Sequence, residues 1–448
     1  MRIYYLKSAS VLIEDQGKKI LCDPWLVDGE YYGSWAHYPP CTFVPEDFND
    51  VDAIYISHIH PDHFSKKTLE RMNRSIPIYI HRYEEQFLKG NLERMGFPVF
   101  ELPHNSRTRI TGDLHLNILA ADNCNPELCG QFFGCGLVEA KFGSTQIDSI
   151  CVIDNCRQVV VNVNDCPIDL SRDAAKNITE LYPRIDFLLL GYGGAGPYPQ
   201  CFASLTDKEK RIAAKKKKLQ FFRQGEEFIS LFRPNWFMPF AGRYTLSGNY
   251  TSLNEMRGVP EIEEAAYFFS GSAVVQESQS TCVLLNSMAF FDLESGETSE
   301  PYTTTDLQAK RIYCETVLET RPFDFDSYPL PTIQELTDLI PAAIVRLEKK
   351  RTEISLETST LVYVYLTEGK AVRISLNGEQ TEIVPWNDRL NAPAYVSMTC
   401  DSRLLLWILK GPRFAHWNNA EIGSHIQFER KPDKFERGIY HCMCYFHA

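Results

Sequence analysis

Short apolar runs alternate with amphipathic stretches along the chain up to about residue 270. Apolar runs of four to eight residues predict strands, and apolar residues spaced three and four apart predict helices. The predicted strands are "SVLIED", "KKILCDP", "VDAIYIS", "IPIYIH", "FPVFELP", "LHLNILAAD", "SICVID", "QVVVNVND" and "IDFLLLGY". The predicted helices are "SKKTLERMNR", "HRYEEQFLKGNLERMG", "RDAAKNITELYP" and "KLQFFRQGEEFISLF". Strands grouped with strands and flanked by helices predict a layered α/β sandwich.

The pattern changes after residue 270, and we expect three parts. Residues 1–270 form the sandwich, and the Ser/Thr-rich, weakly periodic residues 271–332 form a transition segment. Residues 333–448 form a smaller α+β unit. Its helices are "IQELTDLIPAAIVRLEKKRTE" and "SRLLLWILKG", its strands are "LVYVYLTEG" and "KAVRISLNG", and a strand pair is predicted at its end. Cys442 and Cys444 are interpreted as packing residues of that last pair.

Composition excludes several classes of protein. Of the 448 residues, 44% are hydrophobic and 23% charged, which is typical of a globular protein. A net charge of -12 argues against nucleic acid as a partner. No apolar run reaches the roughly 20 residues of a membrane span, and no signal peptide is expected. The 14 cysteines are scattered, so we expect a reducing, cytoplasmic location.

The stretch "AIYISHIHPDHFS" concentrates metal-ligand residues at the end of an apolar strand. It contains three of the chain's 11 histidines, and its candidate ligands are His58, His60, Asp62 and His63. Two imidazoles two residues apart on an extended segment point the same way and share one ion. The following aspartate and histidine turn toward a second ion. A helix cap or a solvated loop explains one such residue, whereas four favour half of a dinuclear site.

This motif, together with "ASVLIEDQGKKILCDPWL", resembles the metallo-β-lactamase superfamily. The resemblance implies an αββα sandwich with a metal site at the sheet edges. It also implies a ligand at the end of "LHLNILAAD", here Asp122 in place of the usual histidine, and a bridging ligand at the end of "QVVVNVND", here Asp165. The superfamily's final histidine has no counterpart in "PFAGRYTLSGN".

Within that superfamily the chain is most similar to the metallo-β-lactamase-like domain of the CMP-N-acetylneuraminate hydroxylase family. The similar stretches are "SHIHPDH", "NILAADNCNPE", "VVVNVNDC", "GYGGAGPYPQCF", "FMPFAGRY" and, loosely, "EIGSHIQFERKPDKF". The hydroxylase has a Rieske domain that needs paired Cys-x-His and Cys-x-x-His segments. Because Cys444 to His447 is the only Cys-x-x-His here, we expect no Rieske centre in this sequence. The α+β unit loosely resembles a sterol carrier protein-like domain.

Two further segments are candidates for substrate binding. Gly193 and Gly194 in "GYGGAGPYP" either let a loop approach the substrate or form tight turns. Arg243 and Tyr244 either hold an anionic substrate group or belong to a surface ion pair. The histidines of "HWNNAEIGSH" are too far apart for a simple metal site, so packing is favoured.

The sequence leaves three functions open. The favoured one is a hydrolase of an ester, lactone or phosphodiester, in which Asp62 or Asp165 orients the attacking water or takes its proton. The second is an iron-dependent monooxygenase that receives electrons from a separate Rieske or ferredoxin-like protein. The third is a metal-bound scaffold without catalysis. The donor set fits one or two ions of zinc or iron, with manganese also compatible, and a sugar- or nucleotide-linked small molecule as substrate.

Overall fold

The computed structural model describes residues 1–83, 86–120, 148–378 and 381–448. In this part of the chain, a first sheet of eight strands has the order β17-β16-β1-β2-β3-β5-β6-β7. Its strands are β1 (Arg2–Lys7), β2 (Ser10–Asp15), β3 (Lys18–Cys22), β5 (Ala53–Tyr55), β6 (Ile78–His81), β7 (Val99–Leu102), β16 (Phe290–Asp292) and β17 (Glu297–Thr298). Strands β1 to β3 are antiparallel, whereas β3, β5, β6 and β7 run parallel.

A second sheet repeats this arrangement with seven described strands in the order β15-β13-β12-β11-β10-β9-β8. They are β8 (Thr108–Thr111), β9 (Leu114–Ala120), β10 (Ser149–Asp154), β11 (Val159–Asn162), β12 (Phe187–Gly191), β13 (Trp236–Phe240) and β15 (Thr281–Cys282). Strands β8 to β11 are antiparallel, and β11, β12, β13 and β15 are parallel. A small ribbon pairs β4 (Trp35–Ala36) with β14 (Thr245–Leu246).

The two sheets pack face to face, and alternate residues of one strand serve different layers. In β12, Phe187 and Leu189 enter the core between the sheets, whereas Leu188 and Leu190 pack under the helices outside. In β5, Tyr55 faces the other sheet and Ile54 faces the outer layer. A continuous apolar run is therefore required, because both faces of these strands are buried.

Helices cover both outer faces and complete the expected αββα sandwich, which is confirmed. The helices over the first sheet are α1 (Lys66–Leu69) and α2 (Phe87–Arg94). Those over the second sheet are α3 (Ile168–Leu181), α4 (Asp207–Phe232), α5 (Ile262–Ser270) and α6 (Ala273–Ser278). Short 3-10 helices span Pro45–Phe48, Gly248–Met256 and Trp386–Asn391.

The predicted helix at "SKKTLERMNR" is only one turn long. Ser65 caps it, since its side chain accepts a hydrogen bond from Thr68 N. Beyond Leu69 the backbone bonds shorten to three-residue steps, such as Met72 N to Leu69 O. The chain then turns toward β6, and the side chains of Met72 and Ile76 pack beneath the sheet.

Residues of the predicted transition segment join the sandwich. Strand β15 extends the second sheet, while β16 and β17 extend the first beside β1. The segment then forms α7 (Leu307–Tyr313) and a π-helical turn at Cys314–Leu318. The division of the chain near residues 270 and 332 remains a prediction.

The C-terminal residues form a third large sheet, with strand order β20-β19-β18-β21-β22. Its strands are β18 (Leu361–Tyr365), β19 (Lys370–Ser375), β20 (Glu382–Pro385), β21 (Tyr395–Thr399) and β22 (Gln427–Lys431). The accompanying helices are α8 (Ile333–Thr337), α9 (Ile340–Glu353), α10 (Ser402–Leu409), α11 (Trp417–Ile422) and α12 (Arg437–Met443). No helix among the described residues is both long and apolar enough to cross a bilayer.

The predicted final strand pair is wrong. Only β22 forms there, and the residues around Cys442 form helix α12. Ile439, Cys442, Met443 and Phe446 are all buried. Their spacing of three, four and seven residues marks one helical face, which is the signal that the strand prediction overlooked.

The C-terminal unit contacts the sandwich near the metal motif. Tyr32 OH accepts a hydrogen bond from His416 N at 2.7 Å, and His425 Nε2 lies 2.8 Å from the carbonyl of Tyr31. Phe428 exchanges backbone hydrogen bonds with Cys201 and Ala203. These bonds hold α11 and β22 against the loops at the sheet edge.

Candidate metal centre

The motif residues lie where parallel strands of both sheets end. Asp23 follows β3, His58 follows β5 by three residues, and Asp165 follows β11 by three residues. The carboxyl ends of neighbouring parallel strands meet at one edge of a sheet. The tertiary fold therefore brings together residues that are up to 142 positions apart in the sequence.

The first group of candidate ligands is His58, His60 and Asp165. One donor atom from each lies within 4.8 Å of the other two, which suits a single ion. His58 Nε2 and His60 Nδ1 are 3.0 Å apart. The structure brings these two imidazoles together, and their sharing of one ion stays a prediction.

A second group contains Asp62, His63 and again Asp165. His63 Nε2 lies 3.5 Å from Asp62 Oδ2 and 3.4 Å from Asp165 Oδ2. It is buried and has no hydrogen-bond partner among the described residues. An imidazole nitrogen enclosed between two carboxylates fits a cation, and Asp165, which belongs to both groups, would be a ligand common to two ions.

Asp23 and Ser57 control the tautomers of two of the histidines. Asp23 accepts hydrogen bonds from Ser57 N at 2.7 Å and Ser57 Oγ at 2.8 Å, and lies 3.0 Å from His63 Nδ1. Ser57 Oγ in turn lies 2.9 Å from His58 Nδ1. Because the hydroxyl gives its proton to Asp23, it accepts from His58. Both imidazoles then carry their proton on Nδ1 and present the Nε2 lone pair to metal.

Tyr31 holds the carboxylate of Asp62. Its hydroxyl donates to Asp62 Oδ1 at 2.5 Å, and its ring packs against Trp35 in a buried aromatic cluster. The backbone carbonyl of Tyr31 contacts His425, so the C-terminal unit supports this position as well.

Burial and mutual charge shift the ionisation of the whole group. Burial, together with the neighbouring imidazoles, lowers the pKa of His58, and burial lowers the pKa of His60 to about 4. Burial and Asp165 raise the pKa of Asp62 to about 6. Burial opposes the charge of His63, but Asp165, Asp62 and Asp23 outweigh it and raise its pKa. The carboxylates around His63 therefore stabilise a positive charge at this point.

The family comparison agrees with this geometry. Residues 2–117 match the family model of the beta-lactamase superfamily domain. The resemblance to the metallo-β-lactamase superfamily is confirmed.

Curated relatives are similar to this chain over just over half of its length. A putative Rieske 2Fe-2S iron-sulfur protein of Mycolicibacterium smegmatis is 28% identical over 268 residues, covering 58% of this chain and 47% of that protein. The inactive cytidine monophosphate-N-acetylneuraminic acid hydroxylase of Homo sapiens is 24% identical over 258 residues, covering 55% and 46%. The chain therefore spans less than half the length of these relatives.

Solved structures with a similar chain path include both hydroxylases and hydrolases. The diiron β-hydroxylase CmlA from Streptomyces venezuelae has a TM-score of 0.40 at 17% identity, covering 63% of this chain and 52% of that one. The isothiocyanate hydrolase from Delia radicum gut bacteria has a TM-score of 0.43 at 12% identity, covering 65% and 99%.

One candidate ligand falls outside the described residues, and another was missed. Asp122, expected as the third ligand of the metallo-β-lactamase-like site, is not among the described residues. Asp148 lies just before β10, with its Oδ1 3.6 Å from His58 Nε2. Burial and the neighbouring Asp165 raise the pKa of Asp148 to about 8. The local sequence "DSI" does not indicate a metal ligand. The position of Asp148 beside His58 depends on how β10 pairs with β9 and β11.

Asn418 was also missed, because it comes from the C-terminal unit. Its amide nitrogen lies 3.2 Å from His60 Nε2. With the Asn418 amide oriented so that its oxygen faces His60, that oxygen accepts the Nε2 proton. Nδ1 of His60 is then free to bind metal. Asp23, in contrast, could be identified from the sequence, because it directly follows the apolar run "KKILC" just as the histidine motif follows "AIYIS".

The candidate substrate residues have different surroundings. A side chain at Gly194 would clash with the Phe221 ring at 2.3 Å, so packing against α4 alone requires glycine, and Gly193 lies against Gly242. Tyr244 is buried and stacks on Trp35, with ring centroids 3.4 Å apart. Arg243 lines a separate cleft. Their contact with substrate stays a prediction.

Proposed function

We propose that the chain is a metalloenzyme with a dinuclear centre at the edge of the sandwich. The observation that carries the proposal is the sharing of Asp165 by two ligand groups, one with His58 and His60, the other with Asp62 and His63. Two ions placed there would be close enough to act on one substrate. The His58 and His60 pair with Asp165 is also the two-histidine, one-carboxylate set of non-haem iron sites.

The reaction we favour is hydroxylation of a small molecule, which reverses the order of preference drawn from the sequence. Iron at this site would supply dioxygen activation. One oxygen atom of dioxygen enters a substrate C–H bond to give C–OH, and the other leaves as water, with two electrons and two protons from a donor. The support is the carboxylate-rich donor set and the names of the relatives, a hydroxylase and Rieske iron-sulfur proteins.

Electrons would come from a Rieske or ferredoxin-like protein. The described cysteines are all free thiols, which supports a reducing, cytoplasmic setting. A nucleotide-linked sugar is the substrate class that the hydroxylase relatives suggest.

The chain's own residues would hold and move protons beside the ions. Asp62 would accept a proton beside the ions, and Tyr31 keeps its carboxylate in one orientation. Asp23 and Ser57 keep the ligand nitrogens deprotonated on the metal side.

Hydrolysis is the second candidate, and the match to the beta-lactamase superfamily domain supports it. The same Asp62 would then take the proton of an attacking water. It needs no electron donor and no dioxygen, so the two candidates are separable by experiment.

The test uses iron-loaded and zinc-loaded protein side by side. We expect the iron form, given a chemical reductant and a panel of nucleotide sugars including cytidine monophosphate-N-acetylneuraminic acid, to consume dioxygen and add 16 mass units to one compound. The zinc form under nitrogen should leave esters, lactones and phosphodiesters intact. If the zinc form cleaves one of these compounds and the iron form oxygenates none, the proposed reaction is hydrolysis and not hydroxylation.

Elemental analysis tests the centre itself. Wild-type protein should retain close to two ions per chain after dialysis, and the His58→Ala/His60→Ala variant should retain fewer. His447→Ala, which removes a histidine outside all the candidate ligand groups, is the control. Equal metal content in the wild type and the double variant would remove the basis of both reactions.

A further inference from the structure

A cleft separate from the metal ligands lies beside the hairpin turn between β1 and β2. It has a volume of about 380 Å³. It is lined by residues of β1 and that turn, of the segment 37–42, of the loop after β13 and of residues 285–287 and 302–306. Among the lining residues, Lys7, His37 and Arg243 carry the polar groups suited to bind a ligand. None of them belongs to the two ligand groups built on Asp165.

Two positively charged groups at this cleft lack a carboxylate partner among the described residues. Lys7 is only 5% exposed, and its Nζ donates to the carbonyl of Pro39 at 2.8 Å. Arg243 Nη2 donates to Thr305 Oγ1 at 2.6 Å. The Nε atom of Arg243 is buried and has no hydrogen-bond partner within the described ranges. Buried charges without a counter-charge are costly, so natural proteins usually pair them.

The carboxylates nearby are already engaged. Asp28 binds His37 Nδ1 at 2.7 Å and Arg321 Nη1 at 2.6 Å. Asp306 caps α7 by accepting from the backbone of Gln308 and Ala309. Glu261 is paired with Lys310. The positive charge at the cleft therefore remains available to a ligand.

His37 adds a second requirement on the ligand. Its side chain is 2% exposed and its Nδ1 proton is held by Asp28. Its Nε2 is buried without a hydrogen-bond partner in the described part of the chain. Because burial lowers the pKa of His37, this nitrogen is an acceptor near neutral pH. It can take a hydrogen bond from a hydroxyl that the ligand brings.

We propose that this cleft binds a small oxyanion that also carries a hydroxyl, such as hydrogen phosphate, a phosphate monoester or a hydroxy-carboxylate. Lys7 and Arg243 hold the anionic oxygens through charge-assisted hydrogen bonds, and His37 accepts from the hydroxyl. The site does not require a bound metal. The proposal therefore stands apart from the proposed function, whichever reaction occurs at Asp165.

Calorimetric titration with inorganic phosphate and with lactate tests the proposal. We expect at least one of them to bind, and Lys7→Met and Arg243→Gln each to weaken that binding at least about tenfold. Lys217→Met is the matched control, because Lys217 has a similarly lowered pKa but lies outside the cleft lining. His58→Ala/His60→Ala should bind the anion as wild type does, which separates this site from a metal-bound anion.

Each outcome of the titration is informative. Binding of phosphate alone identifies a phosphate ligand, and binding of lactate alone a hydroxy acid. Binding of neither at tens of millimolar, or unchanged affinity in both cleft variants, overturns the proposal.

Labelling of the wild-type protein gives a second measurement that does not depend on the folding of variants. Burial lowers the pKa of both Lys7 and Lys217 to about 8, so the neutral, nucleophilic fraction of each amine near pH 8 is larger than that of an ordinary lysine. Because Lys7 is only 5% exposed, a small acetylating reagent is used in excess. Phosphate or lactate should slow acetylation of Lys7 severalfold and leave Lys217 unchanged, as measured by peptide mass spectrometry. Equal rates at Lys7 with and without both anions would contradict the proposal.

Discussion

Replacing Asp23 by asparagine should reduce metal affinity although Asp23 is not itself among the candidate ligands. In the native protein its two oxygens accept from Ser57 N and Ser57 Oγ and hold the Nδ1 proton of His63 at 3.0 Å. An asparagine amide has one oxygen to serve Ser57 N, so its NH2 group faces Ser57 Oγ and His63 Nδ1. His63 Nδ1 must then accept, and its proton moves to Nε2, the atom between Asp62 and Asp165.

The expected magnitude follows from these contacts. Changing the partner of a metal-binding histidine typically costs about 10- to 100-fold in metal affinity. Asp23 is fully buried, so the lost charged hydrogen bond should also lower the free energy of unfolding by about 1.5–3 kcal/mol. Both effects have one cause, because the Asp23 carboxylate stabilises the folded chain and also holds the His63 proton on Nδ1.

The assay is competition with a coloured chelator, together with urea unfolding of metal-free protein. Asp52→Asn is the control, since Asp52 also accepts from a strand backbone, Lys19 N at 2.9 Å, while its other oxygen accepts from Lys18 Nζ and not from a histidine. Metal affinity of Asp23→Asn within twofold of wild type would refute the tautomer argument, even if stability fell as expected.

Further predictions concern the shared carboxylate, the candidate ligand outside the described residues, the C-terminal unit and pH. Asp165→Asn should reduce bound metal from two ions to at most one in elemental analysis, because both ligand groups lose their shared carboxylate. Asp122→Asn should weaken metal binding without unfolding the protein; wild-type affinity would exclude Asp122 as a ligand. Asn418→Leu should weaken metal binding about tenfold by releasing His60, with circular dichroism unchanged. Burial raises the pKa of Glu421 to about 8, so the folded state keeps a proton there that the unfolded state loses above its lower pKa. Stability should therefore fall as pH rises from about 5 to 9, by on the order of 4 kcal/mol, and urea midpoints of Glu421→Gln should lack this part of the slope.

The sandwich could be predicted from the sequence because its signals are local. Apolar runs such as "FLLL" in β12 bury residues on both faces, so the run itself requires a strand covered on two sides. The final strand pair failed for the opposite reason. There a short helical face of Ile439, Cys442, Met443 and Phe446 resembles an apolar strand until its spacing is counted.

The sequence by itself determined the chemistry of the motif. His58, His60, Asp62 and His63 follow one strand, and an extended backbone sets the relative directions of neighbouring side chains over such a short distance. Only the tertiary structure decided which other residues join them. Asp165 and Asp23 meet the motif because their strands, one in each sheet, end at the same edge of the sandwich. Asn418 meets His60 across 358 residues of chain. Strand order and the docking of the C-terminal unit depend on the burial of whole layers, so short-range patterns carry no record of these contacts.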